Sequence, residues 1–368
     1  MNNKLIGGIK SPVRTILAAA VLLALEAPVF ALNFNVTFDS SVTSLPNALQ
    51  VEMAFTNATL VFQALYTNAM TVNLKVYFSS GVQLGQSGYG LTGNPTYAQL
   101  TNALRIAGTT AADSNSLASL PPSDPTGGGP WWVPYAEAKA LNGFFGVAPN
   151  DPGQDGTVTF ASTVSYTFDP TNRAVAGRFD FISVAEHEIS EVLGRSFALN
   201  YGIGGYLPYD LFRFTGNGTR SLSVNDANVY FSVNDGVTVL KSFYPDVATG
   251  DVQDWQSSSP DDSYDASLTI GHEGLLSSAD LTSLDILGYA LNFHAPRLSG
   301  TRLANGAFRL TFTNVTGLNF SILASTNIAT AVTNWTVLGA PIETPAAGQY
   351  QFTDSVTNRT RYYRVRLN

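Results

Sequence analysis

The sequence predicts an α+β domain followed by a small all-β module, and three observations lead there. Segments with helical and with period-two apolar spacing are mixed between residues 32 and 294. After Ala295-Pro296 only strand-like runs separated by turn residues remain. Charged residues are 12% of the chain, about half the ~25% of an ordinary globular protein, and Asn, Thr, Ser and Gly fill the gap, as in extracellular β-rich proteins. With 368 residues and a 45% apolar share, the chain can bury a sizeable core in two or three domains.

The elements follow in order. Lys4, Lys10 and Arg14 precede an apolar run from Ile16 to Leu25, and Val29-Phe30-Ala31 offers small residues for cleavage. This is the pattern of a secretory signal over residues 1–31, too short in its apolar part for the ~20 residues of a membrane span. Pro46 to Tyr66 reads as a helix, with Leu49, Met53, Leu60 and Leu65 at mostly helical spacing. Thr71 to Phe78 reads as a strand with Val72, Leu74, Val76 and Phe78 on one face. Helices are expected over Tyr97–Ile106 and Pro134–Phe144, around a Pro/Gly-rich loop from Pro121 to Pro130. A turn at Asp155-Gly156 leads into a short strand to Ala161, and Tyr166–Asp169 is extended. Phe179–Arg195 is the most helix-like segment, with polar residues on its would-be buried side. Strands and turns alternate from Tyr206 to Tyr244, and Ser277–Leu287 reads as a helix opened by a Ser277/Asp280 capping box. The module over residues 295–368 reads as a sandwich built on Ala307–Phe312, Leu318–Leu323, Trp335–Leu338, Tyr350–Thr353 and Tyr362–Leu367. It contains no His, so no chemistry is expected in it.

Composition narrows the function. A net charge of -8 argues against nucleic-acid or anionic-membrane partners, which need clustered Lys and Arg. The absence of cysteine excludes disulfides, thiolate metal sites and a cysteine nucleophile. Any metal must be held by His, carboxylate, carbonyl or water, and the histidines are His187, His272 and His294 alone.

His187 and Glu191 are four residues apart in a helical segment and so share one face, about 5–6 Å apart at Cβ. Both side-chain types ligate zinc. Glu188 is rotated about 100° from His187 around the helix. That offset suits a carboxylate that takes a proton from a water without binding the metal itself.

The segment Phe181 to Arg195, containing His187-Glu188-Ile189-Ser190-Glu191, resembles the active-site helix of a family of secreted bacterial zincin-type metallopeptidases, metzincin-like in appearance. Asp155–Phe160, Tyr209–Phe214 and Ser277–Tyr289 also match that family's pattern, and the likeness spans about Phe34 to Leu291. It implies a zincin-like domain over residues 32–294, a zinc cofactor, Glu188 as general base, and a protein or peptide substrate outside the cell. The module over 295–368 resembles a small β-domain appended to many secreted bacterial proteins. Two positions depart from the common zincin motif: Glu191 stands where a His is usual, and Phe197 occupies the place of a third His ligand. The third ligand must come from elsewhere. Asp210, inside a matched segment, is the first candidate, His272 the second and Glu273 the third. His294 is expected at the surface.

Blander readings stand beside these. Arg195, four residues after Glu191, can pair with it in place of a metal. The acidic residues Asp251, Asp254, Asp261, Asp262 and Asp265 offer oxygen donors of the kind calcium takes, but without a ligand ladder they read as a solvated loop. Asp280 and Asp285 are expected to cap or to face solvent on their helix, and Trp131-Trp132 to line a cleft or pack a loop. The functional alternatives are a non-catalytic zincin-fold surface or adhesion protein and, more remotely, a glycan-binding or glycan-cleaving protein with paired carboxylates.

Overall fold

A computed structural model describes residues 32–201, 204–355 and 360–368. The expected secretory signal over residues 1–31 lies outside the described residues. No described helix is long and apolar enough to cross a membrane.

The chain is mixed α and β. Strand β1 (Leu32–Phe38) is followed by a short helix α1 (Ser40–Thr43), helix α2 (Ala48–Leu65) and strand β2 (Met70–Ser79). Strands β3 (Gly85–Tyr89) and β4 (Leu91–Thr92), helices α3 (Tyr97–Ala107) and α4 (Ala111–Ser119), strand β5 (Val133–Pro134) and helix α5 (Tyr135–Ala140) come next. Then follow β6 (Gly156–Ala161), β7 (Tyr166–Thr167), β8 (Phe179–Asp180), α6 (Phe181–Val192) and α7 (Ala198–Tyr201). The region after it is mostly loop, with short strands β9 (Arg213–Gly216), β10 (Thr219–Arg220), β11 (Tyr230–Phe231) and β12 (Lys241–Ser242) before helix α8 (Ser278–Asp285).

The main sheet has the order β1-β2-β6-β3. β1, β2 and β6 are parallel, and β3 runs antiparallel to β6 as the edge strand. The period-two face expected for β2 forms: Val72, Leu74 and Val76 are buried. Helices α2 and α6 pack against each other and against this sheet. An aromatic cluster seats the start of α6, with the Phe181 ring 4.3 Å from Phe160 and 6.3 Å from Phe78, centroid to centroid. Lys139 on α5 is fully buried and donates to Asp155 Oδ2 at 2.7 Å and to the carbonyls of Thr71 and Asp151 at 2.9 Å. All three ammonium protons are thereby used, which ties the Asp155-Gly156 turn to the sheet.

The C-terminal module consists of β13 (Ser299–Arg302), β14 (Phe308–Thr313), β15 (Phe320–Ser325), β16 (Thr336–Gly339), β17 (Ile342–Glu343), β18 (Gln349–Asp354) and β19 (Tyr362–Leu367). They form sheets of order β13-β14-β18-β17 and β16-β15-β19. Phe312 on the first sheet meets Phe320 on the second edge to face at 5.2 Å, and Phe308 stacks on Tyr363 at 5.6 Å. The module is joined to the rest by backbone pairing: Leu276 N donates to Gly317 O at 3.0 Å, and Asn319 N to Leu276 O at 2.9 Å.

Several details differ from the sequence expectations. The helix expected from Pro134 to Phe144 ends at Ala140, and Asn142 and Gly143 turn away with positive φ. In α2 the buried face is Val51, Ala54, Phe55, Ala58, Val61, Phe62 and Leu65, while Leu49 and Met53 are exposed. Asp280 caps α8 as expected, accepting from Ser277 N at 2.6 Å, though it is buried, and Asp285 is buried rather than solvent-facing. Trp131 packs into the core between Tyr97 and Tyr206.

Candidate metal centre

Helix α6 supplies most of the site. Asp180 caps its N-terminus, accepting from Ile182 N at 3.1 Å, and Arg173 holds that carboxylate from the other side at 2.7 Å. At the other end Gly194 has φ 118°, a left-handed position that glycine reaches without strain. The turn sends Arg195 back along the helix, where its Nε donates to Ser190 Oγ at 2.7 Å.

Among the described residues, one group of His and carboxylate side chains brings three ligand atoms within 4.8 Å of one another: His187, Glu191 and Asp254. His187 Nε2 lies 3.6 Å from Glu191 Oε1 and 3.2 Å from Asp254 Oδ1. Two ligands bound tetrahedrally at zinc distances stand about 3.3 Å apart, so these separations fit a shared ion. The other ring nitrogen, Nδ1, lies 3.0 Å from the backbone carbonyl oxygen of Ser263. An N–H at that position leaves Nε2 as the free donor atom, the arrangement in which metal-ligating histidines are usually held. The carboxylates are oriented too: Ser87 Oγ donates to Glu191 Oε2 at 2.7 Å, and Gln253 Nε2 to Oε1 at 2.8 Å.

Arg195 shares the site and is completely buried. Its Nη1 donates to Asp254 Oδ1 at 2.9 Å, and Nη2 is 3.7 Å from Glu191 Oε1. The electrostatics follow from this crowding. Burial opposes charge on the His187 ring, yet Asp254 outweighs it and raises the pKa. Burial also pushes Glu191 up, but His187, Arg195 and Gln253 reverse that and bring it to about 2. At Glu188 the same two cations, His187 and Arg195, also act to lower the pKa but do not prevail. Burial, then the neighbouring Glu191, raises its pKa well above the ordinary carboxylate value.

Glu188 stands toward the edge strand of the sheet. A Cβ added to Gly85 on β3 would fall 2.2 Å from its Oε1, so the bare glycine makes room for this carboxyl group. His187 is the most exposed member of the group at 13%, and Glu188 beside it retains 6%.

The third position is a correction to the sequence reading. Asp210 is fully buried away from the group, and its Oδ2 accepts from Leu207 N at 2.8 Å and Ala198 N at 3.3 Å. Burial raises its pKa to about 7. It serves as a backbone acceptor at a turn. His272 is exposed, 3.6 Å from Asp261, and Glu273 and His294 are also exposed. The carboxylate that stands beside His187 and Glu191 is Asp254, from a stretch read as a solvated loop. Asp254, Asp261, Asp262 and Asp265 are all buried. The last three are occupied by backbone donors: Thr269 N to Asp261, Tyr264 N to Asp262, and Ser258 N and Asp262 N to Asp265. Those carboxylates fold their own loop by gripping its backbone amides. The usable signal for Asp254 was its place beside Val252 and Trp255, an apolar setting in which a carboxylate calls for a partner. Ser87, Gln253 and Ser263 carried no signal, since their roles depend on chain segments far apart in sequence.

No protein-family model matches the chain, and no curated protein matches it.

Proposed function

We propose that the protein is a secreted zinc-dependent metallopeptidase of the zincin type, with His187, Glu191 and Asp254 holding the metal and Glu188 as general base. The observation that carries this reading is the convergence of His187 Nε2, Glu191 Oε1 and Asp254 Oδ1 while Nδ1 faces the Ser263 carbonyl. Zinc bound there would polarise a peptide carbonyl and acidify a water. Glu188 is placed beside this group without belonging to it, and can accept a proton from that water and return it to the departing amine. A raised pKa suits the return step. Strand β3, at the sheet edge and touching Glu188 through Gly85, offers a place for an extended peptide to lie alongside.

The test uses the purified protein and an unfolded protein substrate. Stoichiometric zinc and chelator-sensitive cleavage are expected. Glu188→Gln should retain the zinc while losing turnover by roughly 10²–10⁴-fold. A Glu188→Gln protein that cleaves as fast as the parent would remove Glu188 from its role.

One observation favours a second reading, a non-catalytic surface protein on the same scaffold. Arg195 already faces both carboxylates, and with a protonated His187 it balances their charge without a metal. Purified protein free of zinc and without proteolysis supports that alternative.

A further inference from the structure

Lys241 on β12 reaches across to the loop after Trp255, where its Nζ is in contact with Asp262 Oδ2. Both side chains are largely withdrawn from solvent, at 17% and 3% exposure. A third group completes the arrangement: Asp280 on α8, with no exposure at all, lies close enough to the Asp262 carboxyl and to Lys241 to interact with both. Burial, and then the neighbouring Asp262, raise the Asp280 pKa well above the ordinary carboxylate value. Asp280 is itself fixed by Trp255 Nε1 and by Ser277 N, each donating at 2.6 Å. Tyr264 N donates to the other oxygen of Asp262, Oδ1, at 2.8 Å. Behind Trp255 lie the rings of Phe243 and Phe231, 5.0 and 5.6 Å away, which make one wall of the pocket apolar.

An amine and a carboxyl group in contact, with a buried acid beside them, are the parts needed to make an amide. We propose that Lys241 and Asp262 join in an intramolecular amide bond, with Asp280 as the proton shuttle. The ion pair first becomes neutral by passing one ammonium proton to the carboxylate, a transfer that low polarity favours. The Lys241 Nζ lone pair then attacks the Asp262 side-chain carbonyl carbon, and the oxygen that gains charge is met by Tyr264 N–H. Asp280 gives its proton to the departing hydroxyl and receives the one that nitrogen loses. A C–N bond forms, a C–O bond breaks and one water leaves, so no oxidant or cofactor is needed. Fixed contact replaces the encounter that makes such a condensation slow in water.

The bond would close the loop from Lys241 to Asp262. That loop contains Gln253 and Asp254, which reach Glu191 and His187, and it has little regular structure of its own. In a chain without cysteine, such a bond would take the place of a disulfide staple.

Intact-mass measurement of the purified full chain under denaturing conditions decides the matter. The parent should be lighter than its sequence mass by one water, and digestion should yield a branched peptide joining Lys241 to Asp262. Lys241→Arg and Asp280→Asn should each restore the full mass. A parent at full mass overturns the proposal. So does a Lys241→Arg protein that still lacks a water, because the dehydration then lies elsewhere. An Asp280→Asn protein that still lacks the water removes Asp280 from the reaction.

Discussion

Helices α2 and α6 pack against the same sheet and against each other, yet only α6 buries carboxylates. The inner face of α2 is Val51, Ala54, Phe55, Ala58, Val61, Phe62 and Leu65, with Thr59 bonded back to the Thr56 carbonyl, and it rests on apolar contact. The buried residues of α6 include Ser183, Glu186, Glu188, Ser190 and Glu191. Each buried carboxylate there opposes folding unless it is paired or neutralised. Arg173 and Ser263 attend Glu186, and His187, Arg195, Ser87 and Gln253 attend Glu191. One helix makes the sheet stable. The other uses that stability to hold charge where water is scarce, which is what a reactive site requires.

The contrast can be broken most sharply at Asp254. On the metal-centre reading, Asp254→Ala should weaken zinc binding by about 10²-fold or more, while Asp210→Asn leaves it unchanged, as measured by chelator competition. The reverse pattern would return Asp210 to the site. Next comes α2, where Phe55→Ala should cost about 3–5 kcal/mol in urea unfolding without changing zinc stoichiometry. Loss of zinc along with stability would mean that the two helices are not separable.

A third effect concerns buried carboxylates whose desolvation outweighs their partners. Burial raises Asp210 and Asp285 to about 7, with Asp113 adding to the effect at Asp285. A carboxyl group whose folded pKa lies above its unfolded value favours folding below about pH 4, and that contribution is lost as pH rises toward 7. The urea midpoint should therefore fall across that interval, and Asp210→Asn should flatten the slope. Glu191, held near 2, acts in the opposite sense, favouring folding above its unfolded value and failing as pH drops toward 2. A midpoint that rises steadily from pH 4 to 7 would contradict the assignment for Asp210 and Asp285. The smallest effect is Ser87→Ala, which removes one hydrogen bond from Glu191 and should cost about 1 kcal/mol, visible as a modest loss of zinc affinity with cleavage intact.

Much of this architecture was legible where local pattern and tertiary role agree. The β2 face, the Asp155-Gly156 turn, α6 and the Ser277/Asp280 start of α8 all follow from spacing and capping chemistry. The α2 helix was legible but its inward face was not: Leu49 and Met53 mark helical spacing, yet Val51 and Phe55 are the residues turned to the sheet. In the site, the pair on α6 is local, four residues apart. The third carboxylate is not, because Asp254 is more than sixty residues from His187 and arrives on a loop shaped by Asp261, Asp262 and Asp265 gripping backbone amides. Such loops bury their acids for reasons that composition cannot reveal.

Gly85 gives the molecule an unusual point of vulnerability. Its backbone does not demand glycine by dihedral angle, so an alanine would be tolerated there by the strand itself. The added methyl would nonetheless land on the Glu188 carboxyl and on Val184. A single carbon atom, placed on a neighbouring strand, would therefore displace the Glu188 carboxyl while leaving every polar group of the candidate centre in the sequence.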